Sequence, residues 1–391
     1  MSVPYACPGC SGTSRAAATT FPESVFTLNY IHRTREDAIA DPKAPVRLEQ
    51  CASCGLIHAP ADEPMRSCYD AGYENTQEHS PVFQEHLRNV CALLAQRTGQ
   101  QRPCRVLEVG CGKGGFLNLL CQRDGWSGDG YDTSYAGPPV VGNARFHQQY
   151  VSPEALAGAR YDLVVCRHVV EHIDRIGDFL TMLAESARCT GASQVMIETP
   201  DFGWIAASGA FWDIFHEHRN YFGREALAGL CRQAGFRVDA HCATFQGQYQ
   251  NLLLTPQPGP PPTPQPESIS PTCRLAAFAR ATAEKIRTVS ATVEDARAGG
   301  RWAIWGAGAK GVSLANHLQH AAGMVPAIVF DINPAKQGSF LPGHGTPICA
   351  PEGELLRSVS LVVVANPAYG VEIKRTIAEA GAKSTRLFLL R

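Results

Sequence analysis

Apolar positions follow two different periods along the middle of the sequence. Residues 82–96 carry apolar side chains at helical spacing, whereas the next run, CRVLEVG, is short, apolar and ends in a glycine-rich turn. The second pattern is typical of a buried strand that runs into a helix. Further strands are predicted at WSGDGYD, YDLVVCRHV and SQVMIETP, and helical spacing returns in IGDFLTMLAESARC. This alternation predicts a doubly wound α/β domain with a parallel sheet.

The flanking regions predict further units. Residues 255–272 contain eight prolines and no apolar periodicity, which indicates a stiff linker. After it, residues 273–297 predict one long helix, and RWAIWGAGAKG, VPAIVFDIN and SLVVVANPAY repeat the order of strand, turn and helix. We therefore expect a small N-terminal domain (1–78), a middle α/β domain (79–254), the linker, and a second, smaller Rossmann-like domain (273–391).

Composition and charge narrow the classes of function. Hydrophobic residues make up 45% of the 391 residues and charged residues 18%, which is typical of a globular protein. The 35 Lys and Arg balance 36 Asp and Glu without a basic block, so we expect small nucleotides rather than nucleic acid as partners. No apolar run reaches the roughly 18 residues of a membrane helix, and the first residues lack a signal-peptide pattern. We expect a cytoplasmic protein with no membrane partner.

Four of the 15 cysteines form two closely spaced pairs. The motif CPGC supplies Cys7 and Cys10, and CASCG supplies Cys51 and Cys54. Four thiolates in two such pairs suit a tetrahedral, structural zinc ion, with a redox pair or unrelated thiols as the alternative. Because this region has few long apolar runs, we expect a metal rather than a large core to hold it.

The turn after the first strand of the middle domain has the features of a cofactor site. In VLEVGCGKGGF, Gly110, Gly112 and Gly114 allow a sharp bend and close approach of a ligand. These glycines alone leave NAD, S-adenosylmethionine and a turn without a ligand open. Glu108 favours S-adenosylmethionine, because a carboxylate repels a pyrophosphate but suits the cationic methionine end. Asp132, at the end of the next strand, is placed to bond the ribose hydroxyls.

Two sets of histidines and acids stand near predicted strand ends or close to one another in the chain. They are His168, Glu171 and His172 in YDLVVCRHVVEHI, and His216, Glu217, His218 and Tyr221 in DIFHEHRNYF. Strand ends in this type of fold face the ligand crevice, so we expect both sets at the active site, with His168 on the cofactor side. A single histidine taken alone is more often structural.

A second glycine turn lies in the C-terminal domain. Gly306, Gly308 and Gly311 fit G-x-G-x-x-G after a strand, and Asp331 follows twenty residues later, a pattern typical of NAD binding. The turn alone therefore leaves NAD binding and a purely structural bend open.

Taken together, the motifs resemble the sugar C-methyltransferases of deoxysugar biosynthesis over nearly the whole chain. The resemblance rests on CPGC with CASCG, on LEVGCGKGGFL, on HEHRNYF, and on WAIWGAGAKG followed by DINPAKQGSFLPG. It implies an N-terminal zinc domain, a central class I S-adenosylmethionine methyltransferase domain, and a C-terminal Rossmann-like domain. That last domain would close over a nucleotide-linked acceptor, using Gly306, Gly308, Lys310 and Asp331, rather than hold a redox cofactor.

The resemblance also implies catalytic roles. His218 would remove a proton from a carbon next to a ketone, and the resulting enolate would attack the sulfonium methyl group. His172 would be the second imidazole, Glu217 would orient the base, and Tyr221 would shape the pocket. These four residues are our predicted catalytic group.

One position departs from the family pattern. Phe215, which we assign with His216 to acceptor binding, stands where a tyrosine is common. Methyl transfer to a sugar hydroxyl or amine, or to another small molecule, is therefore an alternative. A non-enzymatic, zinc-bearing scaffold that binds nucleotide-sugars and an NAD-dependent oxidoreductase are two further alternatives.

Overall fold

The structure is a computed structural model that describes residues 5–60, 73–99, 103–259, 274–297 and 300–390. Within these ranges the strands form sheets of four, eight and five strands. Residues 260–272, most of the predicted proline-rich linker, lie outside the described residues. No described helix is long and apolar enough to cross a lipid bilayer.

The N-terminal unit is built on a long antiparallel hairpin. Its elements are β1 (Arg15–Val25), α1 (Arg35–Ala40), β2 (Lys43–Cys51) and β3 (Ile57–His58). A two-residue strand of the middle unit, Asn220–Tyr221, pairs with β3 and completes this sheet. The N-terminal sheet is therefore not independent of the middle unit.

The middle unit carries the large sheet. Its strands are β4 (Cys104–Val109), β5 (Trp126–Tyr131), β6 (Val140–Val141), β7 (Ala144–His147), β8 (Leu163–Arg167), β9 (Gln194–Pro200), β10 (Asn220–Tyr221), β11 (Phe236–Thr244) and β12 (Tyr249–Pro256). Its helices are α2 (Pro81–Thr98), α3 (Gly115–Cys121), α4 (Ile176–Thr190), α5 (Phe202–Ser208) and α6 (Arg224–Gln233). Ser80 caps α2, and Gly191 ends α4 in the left-handed conformation.

The large sheet has the order β11-β12-β9-β8-β4-β5-β7-β6. Strands β4, β5, β7, β8 and β9 run parallel, whereas β12 pairs antiparallel with β9, β11 with β12, and β6 with β7. The predicted doubly wound α/β fold is confirmed, and its parallel central strands are flanked by antiparallel strands at both edges. The chain leaves β4 toward β5 on one side and later returns to β8 on the other, so a ligand crevice lies at the carboxyl ends of β4 and β8.

The C-terminal unit is a smaller, parallel sheet with helices. It contains α7 (Arg274–Arg297), β13 (Arg301–Trp305), α8 (Ala309–Ala322), β14 (Ile328–Phe330), β15 (Ile348–Cys349), α9 (Gly353–Arg357), β16 (Val359–Val364), α10 (Gly370–Glu379) and β17 (Arg386–Leu389). The order is β15-β14-β13-β16-β17, with every pair parallel. Its crevice lies between the carboxyl ends of β13 and β16.

The N-terminal hairpin and the C-terminal unit share one hydrophobic core. Val25 and Leu48 of the hairpin belong to the same buried cluster as Trp212 of the middle unit and Phe278 and Ile304 of the C-terminal unit. This finding differs from our expectation that a metal rather than a large core holds the N-terminal region. The long hairpin buries its apolar face against α7 and α8, which local sequence could not reveal.

We predict that Gly311→Ala destabilises the protein, because an added Cβ would lie 1.8 Å from the backbone oxygen of Gly306. The turn would have to move, at a cost of about 1–3 kcal/mol. Thermal unfolding should show a loss of several degrees.

Gly308→Ala is the matched control, since the nearest atom to its added Cβ is 4.0 Å away. Its melting temperature should stay near that of the wild type. Equal losses in both variants would contradict the packing argument.

Candidate functional site

The glycine turn after β4 is held in a shape that leaves one face open. Gly110, Gly112 and Gly114 have φ of +75°, +52° and +82°, in the left-handed region that favours glycine. An added Cβ would strike Val169 at Gly110 and the ring of Phe146 at Gly114, but at Gly112 it would meet nothing within 4 Å. The open side at Gly112 gives a ligand room to approach the backbone.

Asp132 closes this turn from the end of β5. One carboxylate oxygen accepts the N–H of Gly112 at 2.8 Å, and the other accepts the N–H and hydroxyl of Ser134 at 2.8 and 2.6 Å. Asp132 is only partly buried beside the open turn. Its position is compatible with the predicted bonds to a ribose.

Glu108 lies buried beneath the same turn. Its side chain is 2% exposed, and its Oε2 has no hydrogen-bond partner among the described residues. Burial raises the pKa of Glu108 to about 7, although the Arg167 guanidinium opposes this shift. A cationic ligand would favour the ionised carboxylate, so an orphaned acid and an open glycine turn both fit S-adenosylmethionine.

A row of alternating charges leads from β8 toward the histidines. Arg167 donates two hydrogen bonds to Glu198 Oε1, at 3.0 and 2.7 Å, and His168 Nε2 lies 3.2 Å from the same oxygen. His168 Nδ1 is 3.2 Å from Glu171 Oε1. Burial would lower the pKa of His168, but its contacts with Glu171 and Glu198 raise it to about 9. His168 is therefore a cation between two carboxylates at neutral pH.

A cavity of about 280 Å³ lies where the carboxyl ends of the two α/β sheets meet. From the middle unit it is lined by His168, Glu171, His172, Pro200, Asp213, Phe215, Glu217, His218 and Tyr249, and from the C-terminal unit by Gly306, Gly308, Lys310, Asp331, Lys336 and Asn366, among others. Asn29 and residues 73–80 supply a further wall. The cavity thus joins groups from all three units.

His172 and His218 lie side by side in this cavity. Their rings meet edge to face with centroids 5.0 Å apart, and a nitrogen of each lies within 4.8 Å of the other and of a Glu171 oxygen. His172 Nδ1 is 2.8 Å from the carbonyl oxygen of Glu217, so it carries the proton of that hydrogen bond. Burial, reinforced by His172, holds the pKa of His218 well below its ordinary value. His218 is therefore neutral at pH 7, in the form that can accept a proton.

Glu217 is held by two donors from the N-terminal region. The N–H of Leu28 donates to Oε1 at 2.6 Å, and the Tyr73 hydroxyl donates to Oε2 at 2.7 Å. Burial raises the pKa of Glu217. Tyr73 could not be selected from the sequence, because it stands in a segment without periodicity or motif.

The loop before His218 presents Phe215 rather than a hydroxyl to the cavity. The Phe215 ring is centred 4.2 Å from that of His218. Tyr221 is buried, and its hydroxyl is bonded to the N–H and the carbonyl of Phe215, both at 3.0 Å. Tyr221 therefore fixes the loop and is absent from the cavity lining, as is His216, whose Nε2 lies 3.0 Å from the Ala44 oxygen.

The C-terminal glycine turn repeats the arrangement of the first. Asp331, at the end of β14, accepts the N–H of Ala307 at 2.6 Å and that of Asn333 at 2.8 Å. Lys310 points across to the middle unit, where its Nζ lies 2.7 Å from Asp213 and 3.1 Å from Gln248. Its charge is thus already paired with a carboxylate.

The four predicted zinc ligands come together. The Sγ atoms of Cys7 and Cys54 are 3.6 Å apart, and those of Cys10 and Cys51 are 3.7 Å apart. A tetrahedron with Zn–S bonds of about 2.3 Å has edges of about 3.8 Å, so the sulfur set fits such an ion. The first knuckle packs on α4, where the Gly177 N–H donates to the carbonyl of Pro8 at 3.0 Å.

Two family models match parts of this chain. Residues 83–241 match the methyltransferase domain family, and residues 268–389 match the C-methyltransferase C-terminal domain family. A search of curated proteins found no match. Similar solved structures include magnesium protoporphyrin IX methyltransferase from Synechocystis, with 17% identity over 45% of this chain and 84% of that one, at a TM-score of 0.35. A methyltransferase dependent on S-adenosylmethionine from Aquifex aeolicus has 14% identity over 46% of this chain and 94% of that one, also at a TM-score of 0.35.

The protein is an S-adenosylmethionine-dependent methyltransferase with a class I α/β core. Its C-terminal unit is a domain of the C-methyltransferase type. The match therefore favours an enzyme over the alternative of a non-catalytic scaffold.

We predict that affinity for S-adenosylmethionine rises with pH through the pKa of Glu108, about 7. Below that pKa the carboxyl is neutral, and above it the carboxylate attracts the cationic cofactor. The gain between pH 6 and pH 8 should be roughly tenfold in Kd by calorimetry. Glu108→Gln removes this titration and controls for the cofactor's own amine, so equal slopes in both proteins would contradict the assignment.

Proposed function

We propose that this enzyme transfers the methyl group to a carbon next to a ketone in a nucleotide-linked sugar. The proposal is carried by the shared cavity, which is lined both by the paired imidazoles of the middle unit and by the glycine turn of the C-terminal unit. One wall offers bases for C–H deprotonation, and the other offers a helix N-terminus suited to a phosphate. Methylation of a panel of nucleotide-linked keto-sugars, followed by mass spectrometry of the products, tests the substrate class.

His218 is the proposed base. Its neutral imidazole takes the proton from the carbon, and the bonding electrons pass into the enolate of the neighbouring ketone. The Glu171 carboxylate, whose pKa is lowered to about 2 by His168 despite its burial, lies close enough to stabilise the imidazolium that forms. When bound, S-adenosylmethionine supplies the electrophilic methyl group.

His172 is the alternative base. Because its Nδ1–H is committed to the Glu217 carbonyl, the neutral ring carries its lone pair on Nε2. Glu217 thus positions one imidazole through its backbone, while its side chain is anchored to Leu28 and Tyr73. We assign His172 the second role because its ring stands beside that of the deeper-buried His218.

Methyl transfer to a hydroxyl or an amine is the second candidate function, and Phe215 favours it. This side chain puts an apolar ring next to His218, so the cavity has no hydroxyl at that position to contact an enolate oxygen. A base that accepts a proton from an O–H or N–H group would need no such contact. Fragmentation of the product by mass spectrometry distinguishes a methyl group on carbon from one on oxygen or nitrogen.

We also propose that one structural zinc ion is bound by Cys7, Cys10, Cys51 and Cys54. The spacing of their sulfurs supports a closed site with four thiolates. Such a site would fasten the knuckles to α4 rather than take part in the reaction.

Metal analysis should therefore find about one zinc per chain, and Cys51→Ser should lose most of it. Cys231→Ser is the control, because this buried cysteine lies outside the cluster. A chain purified without metal supplementation or chelator that contains no zinc, or a Cys51→Ser variant with full zinc, would remove the proposal.

The enolate mechanism predicts exchange without methyl transfer. With S-adenosylhomocysteine in place of the methyl donor, the wild type should exchange the acidic C–H of a nucleotide-linked keto-sugar that it methylates for deuterium from solvent. His218→Ala should lose both exchange and methylation by roughly 10²–10⁴-fold, with cofactor affinity retained. NMR of the sugar protons measures the exchange.

His172→Ala is the comparison and should lose less. A larger loss of exchange in His172→Ala would reverse the two roles. Methylation by the wild type without exchange at any carbon would exclude the enolate and favour the hydroxyl or amine acceptor.

A further inference from the structure

Lys336 is a buried ammonium group on the cavity wall. It is 5% exposed, and its Nζ donates to Asn29 Oδ1 at 3.1 Å and to the carbonyl of Ala307 at 3.0 Å. Both acceptors are neutral. In the described part of the chain, no carboxylate oxygen lies within ion-pair distance of Lys336, and its third N–H has no partner. Burial of a cation without a paired anion costs free energy, so an anionic ligand would stabilise Lys336.

Lys310 differs from Lys336 in this respect. It lines the same cavity, but Asp213 neutralises it at 2.7 Å and Gln248 accepts another of its N–H groups. Lys310 was the lysine that the sequence selected for a phosphate. Of these two lysines, the one without a carboxylate partner is therefore Lys336 rather than Lys310.

The glycine turn next to Lys336 has room for an anion. An added Cβ would meet nothing within 4 Å at Gly306, and at Gly308 its nearest neighbour, Asn29 Oδ1, is 4.0 Å away. Helix α8 begins at this turn, runs for 14 residues and has no side-chain cap, so its first N–H groups remain available. Lys336 bonds to the carbonyl of Ala307 within the turn, which places its charge beside those N–H groups.

We propose that the Gly306–Gly308 turn, the N-terminus of α8 and Lys336 form a phosphate site, in which Lys336 supplies the positive charge. The site rests on the proposed function, since it would hold the diphosphate of a nucleotide-linked acceptor. Helix N–H groups provide directional hydrogen bonds to phosphate oxygens, and the ammonium offsets their charge. Asp331 is committed to the turn backbone and keeps the N–H groups in place.

Long-range charges around Lys336 agree with this assignment. Burial lowers the pKa of Lys336, whereas Asp331, Glu74 and Glu217 raise it and Lys113 lowers it further. None of the three carboxylates reaches the ammonium directly. A phosphate in contact would raise the pKa of Lys336 and favour its charged form.

Calorimetry with inorganic pyrophosphate tests the site on the full chain saturated with S-adenosylhomocysteine. Lys336→Gln should bind pyrophosphate about 10- to 100-fold more weakly, the usual loss for a charge-assisted hydrogen bond. Lys310→Gln should change the Kd less than about threefold, because its charge is already paired. Lys285→Gln, on α7 outside the cavity lining, is the control for a change of net charge and should bind like the wild type.

Asn29→Asp is a second, nearly isosteric variant that keeps the lysine. It places a carboxylate where an amide oxygen lies 3.1 Å from Lys336 Nζ. Neutralising the ammonium in this way should weaken pyrophosphate binding about tenfold or more. Unchanged affinity for S-adenosylhomocysteine shows that each variant is folded. If Lys336→Gln does not fold, the pyrophosphate affinity of Asn29→Asp tests the proposal.

Wild-type pyrophosphate affinity in Lys336→Gln or in Asn29→Asp would overturn the proposal, as would a loss confined to Lys310→Gln. This test needs no acceptor. If pyrophosphate binding depends on Lys336 but no nucleotide-linked sugar is methylated, the phosphate site stands and the proposed function fails. If such a sugar is methylated but pyrophosphate binding does not depend on Lys336, the proposed function stands and the phosphate site fails.

Discussion

The arrangement of the cavity depends on how one buried carboxylate, Glu217, is held. Its two oxygens accept from Leu28 and Tyr73, so the loop that carries His218 is tied to the N-terminal region. The chain of contacts continues from the Tyr73 hydroxyl to Asn29 at 3.3 Å, and from Asn29 to Lys336. A continuous chain of hydrogen bonds therefore connects the loop of the base, the N-terminal wall of the cavity and the C-terminal unit. Since such bonds are strong when buried and costly to break, displacement of one member is felt by the others.

A second line of contacts acts on the imidazoles from the opposite side. Arg167, Glu198, His168 and Glu171 alternate in sign, and the two carboxylates are buried, so each of these acids depends on its cationic neighbours. His168 adopts φ of +52°, a conformation uncommon for a residue other than glycine. Glu171, which contacts the ring of His168, also lies beside His172 and His218. The electrostatic environment of the base is thus built by residues that need not touch an acceptor.

The sequence predicted the parts of this protein that local patterns determine. The core strands of both α/β units were visible because each is a short apolar run that ends in a glycine turn or an acid. The cysteine pairs and the histidine segments could be recognised because their candidate ligands and bases are close together in the sequence. Strand β11 has little buried surface except at Phe236, so its pattern was weak, and the hairpin β1–β2 contains two prolines and several exposed residues. The antiparallel edge at β11 and the N-terminal hairpin were not predicted for that reason.

Contacts between distant residues could not be predicted in the same way. Asn29 and Lys336 are 307 positions apart, and Tyr73 meets Glu217 across 144 positions. Lys336 lies inside DINPAKQGSFLPG, one of the motifs on which the family resemblance rests. Nothing in the local sequence shows that its ammonium is buried without a counter-ion. For Lys310 the residue type and position at a helix start suggested a phosphate ligand, and the partner that occupies it, Asp213, comes from another unit. Local sequence identifies charged groups, whereas the fold decides which of them are paired.

The shared core of the first and last units has a consequence for how enzymes of this architecture diversify. The β1–β2 hairpin packs on helices α7 and α8, and β3 takes its partner strand from the middle unit. Recombination that exchanged only the C-terminal unit would leave the hairpin's apolar face without its complement. The segments that encode the hairpin and the C-terminal unit would have to be inherited together, although the catalytic core separates them, so new acceptor preferences should arise more readily by point substitution along the cavity than by shuffling of domains.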